Sequence, residues 1–256
     1  MCLIALALNP TEDLSLVVIA NRDEWLKRPT APLHRWTDGS GIVAGVDLEA
    51  GGTWMGIHPS TRRIAMVTNV RDPADLRPKE PGEPSRGALV RDFLSGTRSA
   101  SDYVKEMRES AMRGFNLIAI DRDGAFWCSN RGGEPTELRP GIHGVSNALL
   151  DTPWPKVVRA KARLGEAMRT GPSEAALLEI LADDARADDP ALPDTGVGLE
   201  LERALSPIRV ALPGYGTRCS TVLMVGPERV SILERTLAPG SVSDVRLEFA
   251  SRDPAS

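Results

Sequence analysis

The opening of the chain does most to fix what it can become. Two apolar runs, residues 3–8 and 14–20, flank Asn9-Pro10-Thr11-Glu12-Asp13. Pro, Thr and Asp between strand-like segments are hairpin chemistry. With the turn centred on Thr11 and Glu12, positions summing to 23 face each other, so Cys2 stands opposite Asn21. The polar run Asn21-Arg22-Asp23-Glu24 then emerges beside a thiol. Removal of Met1 would give Cys2 a free α-amine as well. One local element thus brings a nucleophile and a charged cluster together.

Composition narrows the classes. A chain of 256 residues with 41% hydrophobic and 26% charged residues is an ordinary globular protein with room for a sizeable core. A net charge of −4 gives no bulk electrostatic case for nucleic acid or an anionic membrane. Cys2, Cys128 and Cys219 are odd in number and form no CxxC pair, so neither a disulfide framework nor a metal site is expected. The first apolar run has no basic segment before it and stops at Asn9-Pro10, unlike a signal peptide, and no stretch approaches a membrane span. The expectation is a cytoplasmic protein without membrane insertion, in a reducing setting that keeps Cys2 a thiol.

Along the chain, residues 27–40 read as loop, and 42–48, 53–58 and 63–70 as strands broken at Gly51-Gly52 and Pro59-Ser60. The proline- and charge-rich residues 71–85 read as a surface loop. Helices are expected over 86–94 and 100–112, the second capped by Ser99 or Ser101. Strands return at 115–121 and 125–129 around Arg122-Asp123-Gly124, with a short one at 142–147. Pro155 suits the first turn of a helix reaching about Met168, and Ser173 caps a helix over 174–183. Residues 184–198 read as loop, and strands occupy 208–211, 219–226, 230–237 and 245–250. No composition break divides the chain, so one domain is expected. Strand clusters flanking helices suggest an α+β fold of antiparallel sheets with helices outside.

An N-terminal cysteine can attack a carbonyl through its thiol, with its own α-amine as general base. Such chemistry needs amide donors for the developing oxyanion. Three polar residues stand at ends of strands: Asn69 near the end of 63–70, Asn147 in Gly144-Val145-Ser146-Asn147, and Arg218 in Gly216-Thr217-Arg218-Cys219. Each alone reads as a turn or surface residue. Trp54, following Gly51-Gly52-Thr53, is placed as the wall of a ligand pocket or as a buried strand residue. His34, His58 and His143 are the only histidines, and His143 stands close enough to Asn147 in sequence to face the same cleft.

Met1-Cys2, Asn21-Arg22-Asp23-Glu24 and Gly51-Gly52-Thr53-Trp54-Met55-Gly56 together resemble the NRDE family, that of the transport and Golgi organisation protein 2, over essentially the whole chain. The resemblance implies an N-terminal-nucleophile hydrolase-like fold, a four-layer αββα sandwich of two antiparallel sheets. More distantly the chain is similar to choloylglycine hydrolases and penicillin V acylases, which cleave non-peptide amides. That similarity implies Cys2 as nucleophile, Asn69 and Asn147 as oxyanion and orienting residues, and Arg218 near the thiol. Asn21, Arg22, Asp23, Glu24, Trp54 and His143 are then expected to bind substrate. The pattern departs from those enzymes in placing Asn21 where they carry arginine and Glu24 where they carry aspartate. Two functions follow from the resemblance: amide hydrolysis, which requires no cofactor, or carriage of haem or an acyl-CoA in the same cleft.

Overall fold

The computed structural model describes residues 2–76 and 82–250. Strands β1 (Cys2–Thr11) and β2 (Leu14–Trp25) form the opening hairpin. They are followed by β3 (Thr30–Arg35), β4 (Val43–Asp47), β5 (Met55–His58) and β6 (Arg63–Asn69), then helices α1 (Gly87–Ser95) and α2 (Ala100–Arg108). Next come β7 (Phe115–Ile120), β8 (Ala125–Ser129), the short β9 (Thr136–Glu137) and β10 (Gly141–Val145). Helices α3 (Pro155–Thr170), α4 (Glu174–Leu181) and α5 (Leu199–Leu205) precede β11 (Ala211–Leu212), β12 (Tyr215–Val225), β13 (Arg229–Ala238) and β14 (Ser241–Ala250).

Two antiparallel sheets result. One runs β10-β1-β2-β12-β13-β14 with β11 on β12; the other runs from β3 to β9 in sequence order. Alternation along the strands builds three apolar layers. Ile4, Leu6, Leu16 and Val18 face inward and meet Val43, Ile57, Met66 and Ile118 of the second sheet. Leu3, Ala5, Val17 and Ile19 face outward onto Val157, Leu164, Leu177 and Leu181 of α3 and α4. The outer face of the second sheet, with Ala65, Val67 and Leu117, packs on Val90, Phe93 and Val104 of α1 and α2. The architecture is the expected α+β sandwich, helices–sheet–sheet–helices.

The hairpin register differs from expectation by one residue. The turn falls at Glu12-Asp13, Asn9 takes a left-handed φ of 48°, and a bulge between Leu8 and Thr11 absorbs an extra residue. Positions summing to 24 therefore pair over the body of the hairpin, and Cys2 faces Arg22 rather than Asn21. The expected loop 27–40 contains β3, an edge strand whose bulge between Ala31 and His34 accommodates Pro32, which has no N–H to give a ladder. Ser99 caps α2 by accepting from the Asp102 N–H at 3.1 Å, and Ser173 caps α4 through the Ala176 N–H at 3.2 Å. The second helix ends at Arg108, short of residue 112, and α5 follows the expected loop 184–198.

Candidate active site

The site is built where β1 begins. Cys2 pairs with Arg22, and Arg22 pairs on its other side with Cys219 of β12, so thiol, guanidinium and thiol form one row across three strands. These positions belong to the sheet face that looks toward the second sheet. They open into a cavity of about 610 Å³ whose lining includes Cys2, Arg22, Trp54, Asn69, Arg86 and Arg218. Arg22 is held by Glu24 and Asp47, each 3.6 Å away. Trp25 and Tyr215 meet edge to face at 5.3 Å on the same lining.

Burial pushes the Cys2 thiol above its ordinary pKa, opposed by the Arg22 charge and by a hydrogen bond from the Asp23 backbone N–H. A thiol so placed stays protonated at neutral pH and needs a base to become a nucleophile. Cys219 also lines the cavity, but burial and the Glu234 carboxyl raise its thiol well above the normal range. Cys128 lies in the layer between sheet and helices, pushed by burial up to about 12.

The segment after β10 crosses between the sheets and fixes the amide groups. The Ser146 hydroxyl donates to the Cys2 carbonyl at 2.9 Å. The Ser146 carbonyl accepts from the Thr68 hydroxyl at 2.5 Å, and the Ala148 carbonyl accepts from the Asn116 amide at 2.8 Å. Between them, Asn147 Nδ2 donates to both the main-chain and side-chain oxygens of Asn69, each at 3.0 Å. The Asn69 Oδ1 is thereby engaged. Its own Nδ2 has no hydrogen-bond partner among the described residues, and Asn69 lines the cavity with Cys2. Asn147, 1% exposed, stands behind it.

The Gly51-Gly52-Thr53-Trp54 run has a steric purpose. A methyl group on Gly52 would lie 2.6 Å from the Gly87 carbonyl carbon, so only glycine permits this approach to the start of α1. The Thr53 N–H donates to the Gly87 carbonyl at 3.2 Å across the same contact. That junction seats Arg86, whose Nη1 donates to the Gly114 carbonyl at 3.0 Å. Trp54 packs against both the inner and the outer layer while contributing to the cavity wall.

The sequence-expected residues separate into groups. Cys2, Arg22, Asp23, Glu24, Trp54, Asn69 and Arg218 line one cavity. Asn21 points the other way: its amide donates to the carbonyls of Leu181 and Ile208, both at 2.9 Å, and accepts from Ser220 at 2.7 Å. It fastens the sheet to the helical layer, the consequence of the one-residue register difference. Arg218, at a bulge in β12, donates to the carbonyls of Trp25, Leu26 and Arg28 and secures the turn after β2. His143 is not part of the cavity lining. Its ring nitrogens meet Asp151 at 3.0 Å and the Arg139 carbonyl at 2.9 Å.

Asp23, on the same cavity lining, accepts from the Thr217 hydroxyl at 2.7 Å. Burial raises its pKa, against the nearby Lys156 charge and that hydrogen bond. Arg86, Asn116, Ser146, Lys156 and Thr217 escape a reading of the sequence alone. The one signal present was polarity inside apolar runs, as at Asn116 in Phe115-Asn116-Leu117-Ile118.

Comparison with known proteins places the chain in a family. The family model described as Transport and Golgi organisation 2 matches residues 1–239, which leaves β14 beyond its span. The chain is 35% identical to the Transport and Golgi organization protein 2 homolog of Bos taurus, with 93% of each chain covered. It is 35% identical to the homolog of Homo sapiens, covering 95% of each. Identity to the Drosophila melanogaster protein of that name is 25%, over 87% of this chain and 86% of that one. By family model and relatives alike, the chain belongs to the Transport and Golgi organisation 2 family.

Proposed function

We propose that the protein hydrolyses non-peptide amides through an acyl-thioester on Cys2, after removal of Met1. The observation that carries this reading is that a buried thiol and an amide donor, Asn69 Nδ2, unengaged among the described residues, line one cavity. In the proposed step the Cys2 sulfur attacks the amide carbonyl carbon while the thiol proton passes to the α-amine of Cys2. Asn69 donates to the oxygen as it takes up negative charge. The amine returns the proton to the leaving nitrogen, the C–N bond breaks, and water then cleaves the thioester to release the acid and restore the thiol. Asn147 acts through Asn69, by holding its Oδ1.

A carrier function in the same cavity is favoured by a separate observation. Arg86 and Arg218 line the cavity, and among the described residues neither has a carboxylate partner, which suits an anionic ligand such as a haem propionate or the phosphates of an acyl-CoA. His143, with both ring nitrogens engaged, is not positioned to supply a haem ligand from that cavity.

Wild type and Cys2→Ala, each assayed with a panel of N-acyl amides and titrated with haem, separate the two. Hydrolysis lost on Cys2→Ala supports the hydrolase. Haem binding at micromolar concentration that survives Cys2→Ala, without hydrolysis by wild type, overturns it in favour of the carrier.

A further inference from the structure

We propose that Lys156 sets the basicity of the α-amine that loss of Met1 exposes on Cys2, acting by charge and without touching substrate. The inference rests on the Cys2 hydrolase reading above. Lys156 is the second residue of α3, held in place by Pro155 at the first and by Val157 inserted into the outer apolar layer. The residue is 2% exposed, and among the described residues its ammonium has no hydrogen-bond partner. A buried cation left in that state is costly and calls for a compensating charge or a function.

The charges that bear on it are those of Asp23 on β2, Arg71 in the segment after β6, Cys2 on β1 and Glu202 on α5. Arg71 and Glu202 compensate each other at 2.8 Å. That leaves Asp23 as the main anion opposite Lys156, with Glu24 as its carboxylate neighbour along β2.

Register explains why this pair matters to the nucleophile. β1 begins at Cys2 opposite Arg22, so Asp23 stands just past the terminus that cleavage creates. Its backbone N–H already meets the Cys2 sulfur. An α-amine beside an uncompensated carboxylate is held as ammonium and cannot take the thiol proton. The Lys156 charge opposes that protonation twice, by repelling an ammonium and by offsetting Asp23. It also favours the thiolate. Removing the charge therefore raises the pKa of amine and thiol together.

The test is the pH profile of Cys2 alkylation by iodoacetamide, read on the N-terminal peptide by mass spectrometry in wild type and Lys156→Met. Methionine keeps the length of the side chain and removes its charge. The midpoint is expected to rise by about one pH unit, a roughly tenfold loss of reactive form below it. Thermal stability should stay equal or increase, because an apolar group replaces a buried cation. Lys156→Gln, should the Met variant not fold, is expected to give the same upward shift. An unchanged or lowered midpoint in a folded variant overturns the proposal. If Met1 is absent, the shift appears and no amide is cleaved, the tuning role stands and the hydrolase reading falls. Retention of Met1 in the wild-type protein overturns both.

Discussion

Asn147 holds Asn69, and in the proposed reaction it is Asn69 that donates. The Asn147 Nδ2 bonds to both Asn69 oxygens decide which end of the Asn69 amide is left to donate. Asn69→Ala is expected to lower kcat by about 10²- to 10³-fold, the usual loss for one oxyanion donor, with little change in melting temperature. Asn147→Ala should lower kcat as well and in addition destabilise by ~1–3 kcal/mol, because it strips a buried partner from Asn69. Thermal denaturation and steady-state kinetics on both variants distinguish the two roles. The sequence places both residues at strand ends, but it does not show which of the two amides holds the other. That distinction lies in Ser146, Thr68 and Asn116, contacts between segments up to 144 residues apart. Asn21 illustrates the opposite outcome. A turn one residue later and a bulge at Asn9-Pro10 turn it from the thiol to the helices, because adjacent residues of a strand face opposite ways.

Among the elements, the start of α1 depends on one missing side chain. Gly52→Ala would set a methyl group against the Gly87 backbone, and overpacking of this kind costs roughly 1–3 kcal/mol. The variant is expected to melt lower and, by displacing Arg86, to lose affinity for anionic ligands, as calorimetry with inorganic phosphate would measure. Strand β10 is anchored differently, by His143 and Lys161 on Asp151. Burial alone would raise the Asp151 pKa, but these hydrogen bonds outweigh it and bring it to about 2, while the same carboxylate raises that of His143. A depressed carboxylate adds stability above its unfolded pKa of about 3.9, lost as pH falls through the folded value. A raised histidine adds stability below its unfolded pKa of about 6.5, lost as pH rises through the folded value. The contribution of the pair is therefore largest between about pH 4 and 6.5. Asp151→Asn should lower the melting temperature most in that window, with the difference from wild type shrinking toward pH 2. Most elements were legible from periodicity and caps. β3 was not, because Pro32 and a bulge break its alternation. Helix α5 was not, because its anchor, Glu202 on Arg71, joins residues distant in sequence.

For the molecule as a whole, two sheets meet face to face and the proposed catalytic arrangement sits at one end of a strand of each: β1 with Cys2, β6 with Asn69. The layered architecture was readable from the order of strands and helices, since each apolar face must be covered. The seam between the sheets was not, being made by side chains from one meeting the backbone of the other. Among the described residues no helix is long and apolar enough to cross a membrane. The proposed hydrolysis passes through a covalent step at one sulfur, and that step is directly observable. Protein lacking Met1 is mixed with a panel of N-acyl p-nitroanilides, quenched in acid, and its N-terminal peptide weighed. An added acyl group is expected on Cys2 in wild type, accumulating in Asn69-intact protein and absent from Cys2→Ala. Release of nitroaniline at the same rate by Cys2→Ala, or no acyl group on Cys2 from any member of the panel, would contradict the proposed hydrolysis.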